Sequence, residues 1–226
     1  MRLSAKDLLG HGLTLAMVTC AIVATTAVVR RDFLGGQGRA LGHPDVPVQN
    51  WSELIGPAHM DVDVEAIVTL LVFSDFQCPA CRQFHQNTLR QLRSAFSESE
   101  LRIGYRHWPL PYHQFAMDLA LTSECVGEQG RFFEFADVVF AGQDSLGKIP
   151  ALEFARRSGV MDVEPIRLCV KEPRVVARVE EDQRTIESLD GRGTPAILLE
   201  GVLLGAVPGY DELHKRVRGL LDKQQS

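Results

Sequence analysis

The chain lacks a surplus of basic residues. Its 226 residues include 24 Lys and Arg against 29 Asp and Glu, for a formal net charge of -5. Proteins that bind nucleic acids usually carry a strongly basic face, so this balance argues against a nucleic-acid partner. Repeats of solenoid period and long low-complexity tracts are also missing from the sequence. A hydrophobic fraction of 45% instead fits an ordinary globular chain with one core.

Cysteine is scarce, with five residues in the whole chain, of which only Cys78 and Cys81 lie close together. A structural zinc site usually takes four Cys or His ligands, often including a second closely spaced pair. Cys125 and Cys169 are isolated in the sequence, and no two histidines have the spacing of zinc ligands. We therefore predict no metal site and no cofactor.

One uncharged apolar run, Gly12 to Val29, has a length at the short end of a membrane-spanning helix. A retained signal anchor is the favoured interpretation. A signal peptide cleaved near Thr25–Ala27 and a buried helix of a soluble fold are the alternatives. Cys20 lies within the run, and the residues before it match a lipoprotein cleavage site poorly. We therefore interpret Cys20 as an apolar residue of the membrane segment with no further role. Basic residues flank the run on both sides and leave its orientation open: Arg2, Lys6, Arg30 and Arg31.

Glycine and proline cluster between residues 32 and 60, a composition that opposes both helix and strand. We expect a linker there, with a short helical turn near Trp51–Ile55, after a signal anchor or signal peptide over residues 1–31. Residues 61–111 and 190–226 are predicted to form one α/β domain, and residues 112–189 an all-helical insertion.

The hydrophobic pattern supports this division. The run from Ile67 to Phe73 is continuously apolar and rich in branched residues, as is typical of a strand buried on both faces. Between Pro79 and Phe96, apolar residues recur at helical spacing. The remaining expected elements, in chain order, are a strand over Leu101–Trp108, helices from Gln114 to Leu189, a hairpin of Ala196–Glu200 and Val202–Leu204, and a closing helix over Tyr210–Leu221.

The pair Cys78 and Cys81 carries the main chemical signal. Such a pair serves as half of a zinc site, as part of an iron–sulfur site or as a redox dithiol. Here it follows a buried strand and opens a helix, which favours the redox use. Free backbone N–H groups and the helix dipole stabilise a thiolate at Cys78. Cys81 lies one turn inside the helix, where it is shielded and placed to resolve a mixed disulfide.

The stretch from Phe73 to Cys81 resembles the active site of the DsbA-like thioredoxin family of secreted disulfide oxidoreductases. Gly193-Thr194-Pro195 resembles the cis-proline loop of that family. Cys125–Gly130 with Phe132-Phe133 resembles its helical insertion. The resemblance extends over about residues 62–222. It implies a thioredoxin-like fold with an inserted helical subdomain and the activity of a protein-disulfide oxidoreductase.

The resemblance also implies a substrate-binding role for Thr194 and Pro195. A cis bond before Pro195 would leave the Thr194 backbone facing Cys78, free to pair with an incoming peptide as a short strand. A proline that begins a strand is unusual unless it lies at an edge or in cis. The alternative is an ordinary turn proline.

Three further residues are candidates for redox tuning, namely Pro79 and Ala80 between the cysteines, and Val72. Many relatives carry a buried Glu or Asp at the position of Val72, six residues before the first cysteine. Without that carboxylate Cys81 loses a general base, and the Cys78 thiolate loses a destabilising neighbour. The departure favours a more oxidising protein or slower release of mixed disulfides.

Cys125 and Cys169 both fall in the predicted insertion. Four cysteines outside the apolar run allow three pairings, of which the simplest joins Cys78 to Cys81 and Cys125 to Cys169. Two buried free thiols are the alternative. We assign no role to His85, and we expect four residues near the motif to lie at the surface of a strand end: Asp75, His107, Trp108 and His113.

The sequence therefore predicts an extracytoplasmic enzyme, held by a single membrane pass, that donates disulfides to secreted or envelope proteins with cysteine pairs. A quinone-linked membrane oxidase would reoxidise Cys78 and Cys81. A reductase or isomerase kept reduced by a membrane electron carrier is the alternative, since direction depends on reduction potential and partner. A dithiol protein that binds or delivers copper or zinc is the second alternative.

Overall fold

The structure is a computed structural model that describes residues 43–62 and 65–224. The predicted membrane segment, Gly12–Val29, and Cys20 lie outside these residues. Among the residues that are described, no helix is long and apolar enough to cross a bilayer.

A mixed sheet of six strands forms the centre of the described domain. The strands are β1 (Val46–Pro47), β2 (His59–Met60), β3 (Val68–Ser74), β4 (Leu101–His107), β5 (Ala196–Leu199) and β6 (Val202–Leu203). Their order across the sheet is β1-β6-β5-β3-β4-β2. Strands β3 and β4 are parallel, and each of the other pairings is antiparallel. A parallel pair requires a crossover connection, which the helical segment after β3 supplies.

Strand β3 is buried along its whole length, as its apolar run predicts. Successive side chains of a strand point to opposite faces. Leu70 and Val72 therefore enter the core on one face of the sheet, whereas Leu71 and Phe73 enter the core on the other. Helices cover both faces, and the predicted α/β architecture is confirmed.

Within residues 43–62 and 65–224, eight helices follow the same order as the sequence pattern. They are α1 (Pro79–Phe84), α2 (Arg90–Ala95), α3 (Ala116–Gly127), α4 (Phe132–Ala141), α5 (Ala151–Arg157), α6 (Glu164–Cys169), α7 (Pro173–Ser188) and α8 (Tyr210–Gln224). A π-helical turn, His85–Leu89, joins α1 to α2. Helices α1, α2 and α8 contribute to the core on one face of the sheet, and α7 contributes to the core on the other. Helices α3 to α6 share an aromatic core of their own that includes Phe135, Phe140 and Phe154.

Residues 43–60 differ from the irregular linker that the composition indicates. Strand β1 pairs with β6, and β2 pairs with β4, so both outer strands of the sheet come from this segment. Between them Trp51–Leu54 forms a 3-10 turn. Gly201 has a φ of +77° and lies against the Trp51 indole, where a Cβ would clash. Strands of two residues are too short to show an alternating pattern, so hydrogen bonds to the sheet edge decide their structure.

Candidate active site

The turn between β3 and α1 positions Cys78. The strand ends at Ser74, and Cys78 is the N-cap of α1 with an extended backbone. Pro79 occupies the first helical turn, where its missing N–H is not needed. The Cys78 side chain is only 7% exposed, whereas Pro79 and Ala80 are exposed beside it.

The surroundings of Cys78 favour its thiolate. The Cys81 thiol donates a hydrogen bond to it, and this contact, with the N–H groups of Ala80 and Cys81, lowers the pKa of Cys78 to about 5 despite its burial. Free N–H groups at a helix start are available for such bonds because they have no partner inside the helix. Cys78 is therefore the thiol suited to attack a disulfide or to leave from one.

Cys81 is the opposite case. It is 1% exposed, and its Sγ accepts a hydrogen bond from the Asp75 N–H at 3.5 Å. Burial, together with the neighbouring Cys78, raises the pKa of Cys81 well above its ordinary value. The two sulfur atoms thus differ in access and acidity, as a nucleophile and a resolving thiol must.

This difference predicts how the reduced protein reacts with iodoacetamide. Near pH 6, above the pKa of about 5, Cys78 is mostly thiolate and is alkylated first, while Cys81 stays a buried thiol. Lowering the pH through 5 protonates Cys78 and slows its alkylation. Mass spectrometry of the alkylated peptides measures this, with the oxidised protein as the unlabelled control. Faster labelling of Cys81 would reverse the two roles.

The cis-proline loop faces the first cysteine. The Thr194–Pro195 peptide bond is cis, and the Thr194 carbonyl oxygen lies 3.4 Å from Cys78 Sγ. The Thr194 hydroxyl is buried and has no hydrogen-bond partner that meets normal geometry in the described part of the chain. A groove of about 350 Å³ runs beside this loop, with Arg192 and Val207 among its lining residues. Thr194 and Pro195 line this groove, and Cys78 lies next to it through its contact with the Thr194 carbonyl oxygen.

Val72 lies in the middle of β3, where it pairs with Tyr105 on one side and Ile197 on the other. It belongs to the sheet core that also contains Phe84, whereas Cys78 and Cys81 belong to the core of the helical insertion. The side chain at this position is apolar and buried, and its tuning role stays a prediction.

Asp75 was expected at the surface of a strand end, and this expectation was wrong. Its carboxylate is 1% exposed and accepts four hydrogen bonds. Oδ1 receives the N–H groups of Gln77 at 2.7 Å and Cys78 at 3.2 Å. Oδ2 receives the N–H of Leu110 at 2.8 Å and pairs with Nδ1 of His113 at 2.7 Å. Asp75 therefore shapes the turn that presents Cys78. The sequence did offer a signal for this role, because an Asp that directly follows a strand can accept hydrogen bonds from nearby backbone N–H groups.

Of the other residues expected at the surface, His107 and Trp108 are buried, whereas the His113 side chain is 15% exposed. His107 lies at the end of β4, next to the buried Trp108. His85 bonds Asp137 Oδ1 at 2.6 Å, and burial lowers the pKa of this histidine despite that bond.

The helical insertion holds the active-site turn from the other side. The Gln143 side-chain amide donates to the carbonyl oxygens of Phe76 at 2.9 Å and Cys78 at 3.1 Å. The Gln77 side chain accepts the N–H of Phe115 at 2.6 Å. No sequence signal marks these glutamines, since their partners lie 38 to 67 residues away.

Cys125 of α3 and Cys169 of α6 are joined by a disulfide with an S–S distance of 2.09 Å. Both residues are buried within the core of the insertion. This bond lies apart from the Cys78–Cys81 pair, which is free.

Most of the sequence matches the model of one protein family. The family model described as thioredoxin matches residues 63–218. Among curated relatives, the Na(+)/H(+) antiporter NhaA 1 of Salinispora arenicola is 32% identical over 138 residues. That match covers 61% of this chain and 21% of the antiporter, so the chain spans about a fifth of that relative's length.

Solved structures show the same fold. BdbD from Bacillus subtilis, in its oxidised form, has a TM-score of 0.68 at 17% identity, and the match covers 80% of this chain and 100% of BdbD. Alpha-DsbA1 of Wolbachia pipientis has a TM-score of 0.62 at 19% identity, covering 79% of this chain and 94% of that protein.

Proposed function

We propose that this chain, which belongs to the thioredoxin family, is a DsbA-like disulfide oxidoreductase that exchanges disulfides with cysteine-containing proteins through Cys78 and Cys81. The observation that carries this proposal is the asymmetry of the two thiols. Cys78 has a low pKa and faces the Thr194 carbonyl, whereas Cys81 is buried and has a high pKa.

The proposed reaction begins with the Cys78–Cys81 disulfide. A substrate thiolate attacks Cys78 Sγ, so a substrate–Cys78 bond forms while the Cys78–Cys81 bond breaks and Cys81 leaves as a thiolate that takes up a proton. A second substrate thiolate then attacks the substrate sulfur of the mixed disulfide. Cys78 leaves as a thiolate, and two electrons have passed from the substrate to the protein.

Oxidation of the substrate is the favoured direction. A low pKa makes Cys78 a good leaving group and stabilises the reduced protein, which makes the disulfide a stronger oxidant. The Thr194 carbonyl and the groove beside it are suited to hold the substrate peptide as an added strand while the sulfur atoms react.

The reduction potential tests this direction. Equilibration of the protein with glutathione buffers of known ratio, followed by quantification of free thiols, measures it. Thioredoxin-fold proteins range from about −120 mV for a strong oxidant to about −270 mV for a reductant. We expect a value on the oxidising side of about −180 mV. A potential near that of the reductants would instead assign a reductase.

We also propose that the domain works outside the cytoplasm on secreted or envelope proteins. The Cys125–Cys169 disulfide supports this location, because structural disulfides persist mainly in oxidising compartments. The apolar run Gly12–Val29 would then serve as the single membrane anchor. A quinone-linked oxidase in the same membrane would take the two electrons from the reduced dithiol.

A further inference from the structure

A cluster of two histidines and a carboxylate lies away from the cysteine pair. It brings together His59 of β2, His107 at the end of β4 and Glu124 of α3. Glu124 Oε1 is 2.7 Å from His59 Nε2 and 3.1 Å from His107 Nε2. One ligand atom from each of the three residues lies within 4.8 Å of the other two.

The cluster is rigidly enclosed by the fold. His107 and Glu124 are almost fully buried, and the His59 side chain is 14% exposed. The His59 ring stacks on Phe132 with centroids 3.9 Å apart. Its other neighbour is Gly127, where a Cβ would approach the ring to 2.7 Å. Both imidazoles are therefore held with one nitrogen directed at the same carboxylate oxygen.

The nitrogens that face Glu124 are the Nε2 atoms of both histidines, and His107 Nε2 also lies 3.4 Å from the Ser123 hydroxyl. The second carboxylate oxygen, Glu124 Oε2, is buried and accepts no hydrogen bond of normal geometry in the part of the chain that the structure describes. Buried polar atoms without a hydrogen bond are uncommon in native proteins. Packing of helix and sheet by itself does not require two imidazoles and a carboxylate to converge in an aromatic core.

We propose that His59, His107 and Glu124 bind one Zn²⁺ ion, with water as the fourth ligand on the exposed side of His59. Imidazole nitrogen and carboxylate oxygen are ordinary zinc ligands, with bonds of about 2.0–2.2 Å. In a tetrahedral site such bonds separate the ligand atoms by roughly 3.3 Å. The observed 2.7 and 3.1 Å would widen slightly, and the two histidine nitrogens, which lie within 4.8 Å of each other, would adjust to the same spacing.

The ion would join β2 and β4, which are paired in the sheet, to helix α3. Strand β2 lies at the edge of the sheet and consists of two residues. A shared ion would fasten it to β4 and to α3 of the helical insertion. We therefore expect zinc to stabilise the fold, independently of the redox state of Cys78 and Cys81.

Arg178 places a positive charge next to the carboxylate of the cluster, so its removal tests whether the cluster binds a cation. Its Nε lies 3.2 Å from Glu124 Oε2, and its side chain is 44% exposed. A guanidinium beside the carboxylate opposes the binding of a cation. Removing this charge should tighten zinc binding, an effect that a purely structural hydrogen-bond cluster would not produce.

The experiment uses the full chain with Cys78 and Cys81 oxidised to a disulfide, so that these thiolates cannot bind metal. Zinc is titrated in competition with a chromophoric chelator, and bound zinc is counted after gel filtration. We expect one ion per chain. His59→Gln and Glu124→Gln should each weaken binding at least tenfold, and Arg178→Gln should strengthen it.

His214→Gln is the matched control and should leave the affinity unchanged, because this histidine lies on α8, with its ring 5.0 Å from that of Phe96. Zinc should raise the Tm of the wild type and of the control, but not that of His59→Gln. Less than stoichiometric binding by the wild type would overturn the proposal. So would an Arg178→Gln variant with unchanged or weaker affinity, a result that does not depend on whether the buried variants fold.

Discussion

Cys81→Ala is expected to trap substrates as mixed disulfides on Cys78, whereas Cys78→Ala is expected to reduce disulfide exchange to the uncatalysed rate. Cys78 has the more acidic and less buried sulfur. When the reduced protein attacks a substrate disulfide, the reverse of the proposed oxidation, one substrate sulfur bonds to Cys78 and the other leaves as a thiolate. Cys81 is the thiol that then displaces the bound substrate. Without Cys81, a substrate bound to Cys78 has no internal thiol to displace it. Non-reducing gels and refolding of a reduced model substrate measure the two effects.

The control for both variants is Cys125→Ala with Cys169→Ala, which removes the other disulfide and leaves Cys78 and Cys81 intact. It should neither trap substrates nor lose exchange activity under conditions in which it is folded. Mixed disulfides that accumulate on Cys78→Ala through Cys81 would contradict the assigned roles. Cys81→Ala should also raise the pKa of Cys78, since the Cys81 thiol is the largest contributor to its lowering.

Removal of the Cys125–Cys169 disulfide is expected to lower the free energy of unfolding by about 4 kcal/mol. The bond closes a loop with a sequence separation of 44 residues, and the loss of loop entropy in the unfolded chain sets this magnitude. The bond also joins α3 to α6, so the helical insertion should loosen first. Urea unfolding of the double alanine variant measures the change.

The comparison should be made in a Cys78→Ala, Cys81→Ala background, so that no redox change at the active site contributes. The slope of the free energy against urea must be compared as well, because removing a cross-link expands the unfolded chain. A loss below about 1 kcal/mol would mean that the helical packing of the insertion alone holds these elements together.

Local sequence determined much of the fold and the centre of the site. The apolar run that became β3, the helical periodicity after Pro79 and the hairpin around Gly201 are short-range signals, and the structure follows them closely. The position of Cys78 at a helix start likewise follows from the order of strand, cysteine and proline. Backbone geometry and hydrophobic periodicity act over a few residues, which is why the sequence alone reveals them.

Contacts between distant residues were decided only by tertiary structure. The strands of residues 43–60 exist because sheet edges accept their hydrogen bonds, against a local composition that opposes strands. The buried bonds of Asp75 to the N–H of Leu110 and to His113 were invisible in the sequence. His59, His107 and Glu124 likewise come from three separate elements, so a search for spaced ligands predicted no metal site. The sequence alone shows which residues carry reactive or metal-binding groups. Tertiary packing determines which of these groups come into contact, and which buried polar atoms need a hydrogen-bond partner in the core.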